Sequence, residues 1–424
     1  MFQMRNAVRR HSSIPAEWVG DVIIVGSGII GSSIAHALSR SGVSSIAVVE
    51  AEDSHGYHST GRSAALYSES YGSALTRALT TASRPAMEQQ VGSGGPVEVD
   101  PSSPSPEGGD TPFLRPRGVV WIAREDQMDS LENAANTIQD QGLVAMEWLG
   151  VDDLMARVPA LKKEYVAGGL EEADATDIDV NALHAAYIKA AKAGGGVAFH
   201  TGRRIVEAVW DGDADLWALQ DAKGGVYAAP IVVNAAGAWA DELGVMAGLD
   251  PIGLVPKRRT VITFDAPADD QFPHGPPVRE WPMVFDVDEQ FYFKPDAGQI
   301  LASPADATPV EPHDAYPEDM DVAYCADRVM TASNLEIASL NSSWAGLRTF
   351  APDSEFVLGP DPRLPSFVWA AGMGGYGIQT APAVGDFVAA ATLGDPVPSH
   401  LVDVGITSYD LFSPIRPSLT TDKE

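Results

Sequence analysis

Among 424 residues there is one cysteine, Cys325, so an internal disulfide and any multi-cysteine metal site are excluded. Basic residues are scarce: 28 Lys and Arg stand against 58 Asp and Glu, a net charge of −30. A partner with a phosphate backbone or an anionic membrane surface needs the opposite balance, so no nucleic-acid partner is expected. The excess of acid reads as a solubility device. No apolar run reaches the length of a membrane span, so no integral membrane segment is expected. The nine histidines show no ligand spacing, with His55 and His58 close together and His200, His274 and His313 scattered, and no metal is expected. A G-x-S-x-G nucleophile elbow with triad partners is also missing. Met1–Gly20 holds Arg5, Arg9 and Arg10, one acid (Glu17) and no apolar core, which excludes a secretory signal. It reads as a disordered extension at residues 1–20 of a cytoplasmic protein, with an organelle-targeting segment as the alternative. The C-terminal Asp-Lys-Glu matches no address signal.

What is present begins at Asp21-Val-Ile-Ile-Val-Gly26-Ser-Gly28-Ile-Ile-Gly31. Val22–Val25 predicts a buried strand. Gly26 permits a tight turn, Gly28 lets backbone approach a pyrophosphate, and Gly31 lets the next helix pack close to the sheet. That helix, expected over Gly31–Ser41, points its free N–H groups at the phosphates. Glu50 closes the next apolar run, Ile46–Glu50, 19 positions after Gly31, where an acid can accept hydrogen bonds from ribose hydroxyls. A glycine-rich turn without a ligand is the bland alternative, and strand, glycines, helix and acid together outweigh it.

Further along, residues 54–71 are rich in Gly, Ser, Thr, His and Tyr and fit no amphipathic element. They suggest backbone lying against a flat ligand, with a surface loop as the alternative. Residues 92–112 are Gly-, Ser- and Pro-rich and read as a flexible insertion. Val119–Ala123 predicts a strand, Gln127–Gln141 and Asp152–Val158 predict helices, and Asp177-Ile-Asp179 caps a helix through Lys192. A second junction, Ile231–Val233 followed by Ala235-Ala-Gly237 and a helix over Trp239–Met246, again sets small residues at a strand's end. Residues 250–350 carry aromatics, prolines and short alternating runs, the pattern of a mostly antiparallel lobe. Phe367–Ala371, the glycine stretch Gly372–Gly377 and a helix from Thr380 form a third strand–glycine–helix unit. The chain is long for one core. The expected fold is α/β (α+β overall): a Rossmann-like doubly wound domain from 21–90, 171–250 and 340–414, and a mostly antiparallel substrate domain, capped by helices, from 91–170 and 251–339. Recurrent small-residue junctions could line a long ligand running from adenine to a planar ring, which favours FAD over a nicotinamide.

These residues carry a family likeness. In Gly56–Ala65, Asp177-Ile-Asp, Val233–Trp239, Pro256-Lys-Arg-Arg259, Phe291–Gly298, Trp344–Arg348 and Gly374–Thr380 the chain resembles the D-amino acid oxidase/glycine oxidase group of FAD-dependent amine and amino-acid oxidoreductases. Within that group it is most similar to bacterial D-arginine dehydrogenase. The resemblance implies noncovalent FAD, with Cα–H passing as hydride to flavin N5 and the imino acid hydrolysing to keto acid and ammonia. It implies cofactor contacts from Gly26, Gly28, Ile29, Ile30, Gly31, Glu50, Ala51, Ser59, Thr60, Arg62, Ser63, Ala64, Ala65, Arg204, Ala236, Gly237, Trp239, Gly346, Arg348, Gly374, Gly375, Tyr376, Gly377, Ile378, Gln379 and Thr380. Arg259 and Arg348 match positions that grip the substrate carboxylate, a task suited to a planar, permanently charged fork. From residues alone either could instead be a structural ion pair. Tyr71 and Tyr292 match positions that hold the substrate and close the site; otherwise they read as core tyrosines.

The departures concern the pocket, expected from Leu66, Val119, Met283, Phe285 and Gly375. Leu66 stands where the relative has histidine, Val119 where it has the glutamate that receives a cationic side chain, and Phe285 where it has valine. A cation buried without that acid is costly, so a neutral, apolar or aromatic side chain is expected on an amino acid, of D configuration. Without the histidine, the amine's proton falls to solvent or Tyr71, or is lost before binding. Secondary or cyclic amines and 2-hydroxy acids are the alternatives. A flavin-bearing binding or tRNA-modification protein is a third reading, which the acidic charge disfavours. Oxygen, a quinone or a carrier would take the electrons, and the protein would be a monomer or dimer.

Overall fold

The computed structural model describes residues 16–88 and 113–419. The insertion at 92–112 and residues 1–15 of the expected extension lie outside the described residues.

Val22–Val25 is buried along its whole length and sits inside a six-stranded sheet. The order is Val197–His200, Ile46–Val49, Val22–Val25, Ile231–Asn234, Leu364–Ala371 and Val357–Asp361. All neighbours run parallel except the last pair. Continuous apolar strands of this kind need cover on both faces, and they have it. Val22 and Ile24 face the helices Ile29–Arg40, Val180–Ala193 and Ala381–Leu393. Ile23 and Val25 face a four-stranded sheet built from Trp18–Val19, Val226–Ala229, Leu216–Asp221 and Ile205–Asp211. Where Ile29–Arg40 crosses Ala381–Leu393, a Cβ at Gly385 would lie 3.1 Å from Ser33, so glycine sets the closeness of that packing. Asp179 caps its helix as expected, its carboxylate accepting the Ala182 N–H at 2.9 Å.

The first helix begins two residues earlier than predicted, at Ile29, because Gly28 takes an extended conformation and serves as its N-cap. Residues 54–71 hold one short 3₁₀ turn, Ser59–Arg62, and the two-residue strand Leu66–Tyr67. That strand joins Thr176–Ile178 and Leu114–Pro116 in a small sheet.

The second sheet has nine strands and contains one parallel pair, Met283–Asp286 against Val119–Ala123. Its two faces divide by simple alternation. Val120, Ile122, Phe291 and Phe293 pack against the helices Val151–Arg157 and Asp319–Ala332, in a core that also encloses Cys325 as a small filler. Val119, Trp121, Met283, Phe285 and Tyr292 face the other way, toward Leu66 and Tyr71. Sheet membership departs from the division expected at residues 171 and 340. Gly168–Glu172 pairs with Val119–Ala123, and Ser342–Phe350 runs the length of Val255–Asp265. Both are antiparallel ladders that composition gives no means of placing.

Candidate functional site

Three adjoining hollows follow one another across the C-terminal ends of the parallel strands, the crevice where open α/β sheets bind ligands. The first encloses about 910 Å³ of open space and is bordered by Gly26, Gly28, Glu50, Ala51, Thr60, Arg204, Ala236 and Trp239. The second, about 940 Å³, is bordered by Ile29, Ile30, Arg62, Arg259, Gly346, Gly374 and Gly377. Gly28, Ser59, Thr60, Ala235 and Gly237 border both. The third, about 600 Å³, shares Ser63, Ala64, Tyr292, Arg348, Gly375 and Ile378 with the second and adds Leu66, Tyr71, Val119, Trp121, Met283 and Phe285. The result is one trough ending in a side cavity.

Backbone builds the trough. Gly26 has φ +104°, and a Cβ there would lie 2.3 Å from the Ala235 carbonyl oxygen. A Cβ at Gly31 would lie 1.9 Å from the Gly26 oxygen, so Gly31 serves helix packing and does not border the trough. Glu50 is fixed by its own neighbours: Ser27 donates from N–H at 2.7 Å and from Oγ at 3.0 Å, and Glu52 N–H donates at 3.0 Å. Arg204 lies 5.7 Å from the Trp239 ring centre, and the His58 ring packs on the same indole at 4.6 Å. Ala65 adopts φ +42°, a strained conformation for alanine, beside the junction of trough and cavity. Ser59 spends its hydroxyl on the Leu347 carbonyl, and the Arg62 guanidinium is held by Asp314 and the Ala315 and Ala345 carbonyls.

Arg258 and Arg259 are neighbours on one strand and point to opposite faces. Arg258 is saturated by Glu318 and Asp321. Arg259 is buried, borders the second hollow, and among the described residues its Nε and Nη1 have no partner. Arg348 donates to the Tyr71 hydroxyl at 3.3 Å, and among the described residues no carboxylate is hydrogen-bonded to it, Glu289 acting on it only through its charge. Gly375 lets it lie flat: a Cβ there would sit 2.8 Å from the Arg348 Cζ. Burial opposes the Arg348 charge, but Tyr71, Tyr292, Glu289 and Tyr376 favour it and the net effect raises its pKa. Burial likewise raises the Tyr71 phenol, against the pull of Arg348, so the hydroxyl stays protonated. The Tyr292 hydroxyl is buried and has no partner among the described residues, and its ring stacks on Phe285 at 5.7 Å. Trp121 packs on Phe285 at 4.9 Å and Tyr71 packs on Tyr376 at 4.8 Å.

A family described as FAD-dependent oxidoreductases matches residues 21–391. The chain belongs to this family. FAD is its cofactor. FAD-dependent oxidoreductase domain-containing protein 1 of Bos taurus is 30% identical over 184 residues, 38% of this chain and 35% of that protein, so the match spans about a third of its length. Hydrogen cyanide synthase subunit HcnC of Pseudomonas aeruginosa is 26% identical over 403 residues, covering 86% of this chain and 90% of its own. The glycine oxidase structure from Geobacillus kaustophilus superposes with a TM-score of 0.74 at 22% identity over 94% of this chain and 99% of that one, a likeness of fold. The trough of this flavoenzyme suits the cofactor. Its glycine cradle leaves room that any Cβ would fill, and Glu50 is preset at the end of the second strand.

Not every expected contact reaches that trough. Tyr376 packs behind Tyr71, and Thr380 is buried with its hydroxyl on the Tyr376 carbonyl; neither borders a hollow. Ala65 and Gln379 border only the cavity. Trp121 was missed, although it follows Val119 by two in a strand and must share its face. Ser27 and His184 were also missed, while His55 falls within the stretch read as facing a flat ligand. His184 Nε2 lies 2.9 Å from the Ser27 carbonyl and His55 Nδ1 lies 2.8 Å from Ser27 Oγ, beneath the glycine turn. Nothing in the local sequence announces a contact across 157 residues. Among the described residues no His, Cys, Asp and Glu group could hold a metal, and no helix is long and apolar enough to cross a membrane.

Proposed function

We propose that this flavoenzyme oxidises an α-amino acid with a neutral, apolar or aromatic side chain to the imino acid, which water converts to keto acid and ammonia. The observation that carries the reading is the pair of guanidinium groups that find no carboxylate partner among the described residues where trough meets cavity, Arg259 with two orphaned N–H atoms and Arg348 beside Tyr71. Buried donors of this kind are unstable unless something accepts from them, and a substrate carboxylate is the matching acceptor. FAD, when bound, supplies the two-electron acceptor. Arg259 and Arg348 fix the carboxylate, Tyr71 and Tyr292 add hydroxyl contacts and exclude water, and the Trp121–Phe285 wall receives the side chain. Among the described residues no Asp, Glu or His borders the cavity. A cationic side chain therefore finds no counter-charge in the cavity wall, the Glu289 carboxylate acting on Arg348 and Tyr71 from outside it, and the amine loses its proton to water or before it binds. The family resemblance favours the D enantiomer, and the glycine oxidase neighbour is named for an amino-acid substrate.

The test is anaerobic mixing with a panel of D- and L-amino acids while the flavin absorbance is followed. Bleaching by D-leucine or D-phenylalanine and not by D-arginine is expected; no bleaching by any amino acid sinks the reading. The missing ammonium acceptor favours one second reading, a 2-hydroxy acid held by the same forks. Ammonia release separates them, since only a primary amine yields it.

A further inference from the structure

One buried carboxylate stands just outside the cavity and takes no part in the chemistry above. Glu172 ends the strand Gly168–Glu172, opposite Val119 in register, and is fully enclosed. Its Oε1 accepts the Glu69 N–H at 2.8 Å. Its Oε2 accepts Ser68 Oγ at 2.6 Å, Ser70 N–H at 3.2 Å and Ser70 Oγ at 2.5 Å. Among the described residues no cation pairs with it. Four donors on three consecutive residues converge on one charge, and the next residue is Tyr71, which meets Arg348. Burial without a counter-ion pushes the Glu172 pKa up, and the four hydrogen bonds pull it back. A neutral strut would have avoided that desolvation. An amide cannot replace it, because one side of a glutamine would turn a donor toward a backbone N–H that is itself a donor.

We propose that Glu172 is a positioning residue for the oxidation: it locks the Ser68–Ser70 turn and thereby sets the Tyr71 hydroxyl against Arg348 and the substrate carboxylate. The inference rests on the carboxylate-anchor reading above, and the test separates the two. The holoenzyme, E172Q, Y71F and the double variant are compared by KM and kcat and by the Kd of benzoate, read as a perturbation of the flavin spectrum. E172Q should raise KM and benzoate Kd by about tenfold, with kcat within about threefold and FAD content unchanged. The double variant should be no worse than Y71F alone, because both changes remove one contact. If the effects multiply, or if E172Q leaves both constants unmoved, the positioning role is overturned while the anchor reading stands. If wild type binds no benzoate, the anchor reading falls and takes this inference with it. Should E172Q fail to fold, S70A removes one donor from the other side; it should raise benzoate Kd about threefold in the wild-type background and not in Y71F.

Discussion

The trough and the cavity are built by different means. Backbone shapes the trough: glycines at 26 and 28, a helix end packed close through Gly31, and small residues at strand termini. Side chains shape the cavity: Trp121, Phe285, Tyr292 and Tyr71 come from three separate segments and meet ring to ring. A ligand read by backbone depends on spacing along one stretch of chain. A ligand read by side chains depends on which residues the tertiary fold brings together. The first site is hard to alter without loss and the second can be re-cut, which is the physical basis for one family keeping a cofactor while varying its substrate.

The largest effect should come from touching the backbone-built half. Gly26→Ala forces an alanine to φ +104° and into the Ala235 carbonyl. The variant should lose about 3 kcal/mol and purify nearly colourless, as read by thermal melting and the flavin-to-protein absorbance ratio. Gly28→Ala sharpens the contrast: within the protein its Cβ meets only Thr60 Oγ1, at 3.2 Å. It should fold with little change in the apoprotein melt yet hold FAD more weakly. If both variants behave alike, the division between turn geometry and ligand approach is wrong.

Next is the junction of the two halves. Arg348→Met should raise KM or benzoate Kd by about 100-fold, the scale of losing a charge-assisted fork, with FAD retained. Arg258→Met is the control, because its charge is spent on Glu318 and Asp321 on the opposite face. It should lower the melting temperature and leave KM alone. An Arg348→Met enzyme with normal substrate affinity would refute the anchor.

How much of this was legible follows from the same contrast. The first strand, its glycines and Glu50 lie within thirty residues and read directly, because each has a local steric or hydrogen-bonding reason. Helix ends moved by a residue or two where caps decide the boundary, as at Gly28. Arg259 and Arg348 could be assigned to the substrate only through resemblance, since sequence does not say which of Arg258 and Arg259 meets acids; both are buried, and the strand face that packs on the helix Asp319–Ala332 decides that. Trp121 was within reach of period-two reasoning and was overlooked. The His184–Ser27 and Glu172–Ser70 contacts were out of reach, because they join elements 157 and 102 residues apart. The place of Ser342–Phe350 beside Val255–Asp265 was likewise invisible, as strand pairing is not written in composition.

A smaller effect should come from re-cutting the cavity. Val119 is buried in its wall beside Met283. Val119→Glu should raise kcat/KM for D-arginine relative to D-leucine by about tenfold, since a cationic tail gains the partner it lacks. Stability should fall, because the carboxylate is buried whenever the cavity is empty. An unchanged ratio would show that side-chain charge is sensed elsewhere.

The smallest expected effect is a slope in pH, and it probes the side chains that support the backbone-built half. His184 bridges the Ser27 carbonyl and Ser32 Oγ behind the glycine turn. Burial holds its pKa below the ordinary 6.5, with His55 adding to the shift and the Ser27 carbonyl and Glu50 opposing it. Below about pH 6.5 the unfolded chain therefore binds a proton that the folded state resists, and stability falls as pH drops through that window. His55 is depressed in the same direction, first by its own burial and then by Lys192, so removing His184 should shrink the slope without abolishing it. Carboxylates across the protein also titrate on acidification, which makes the difference between wild type and His184→Gln the quantity to read. Between pH 7 and 5.5 the wild type should lose about 2 °C more than the variant, followed by flavin fluorescence on heating. Parallel slopes would mean that His184 binds protons alike in the folded and unfolded chain, so that its burial behind the glycine turn costs no stability on acidification.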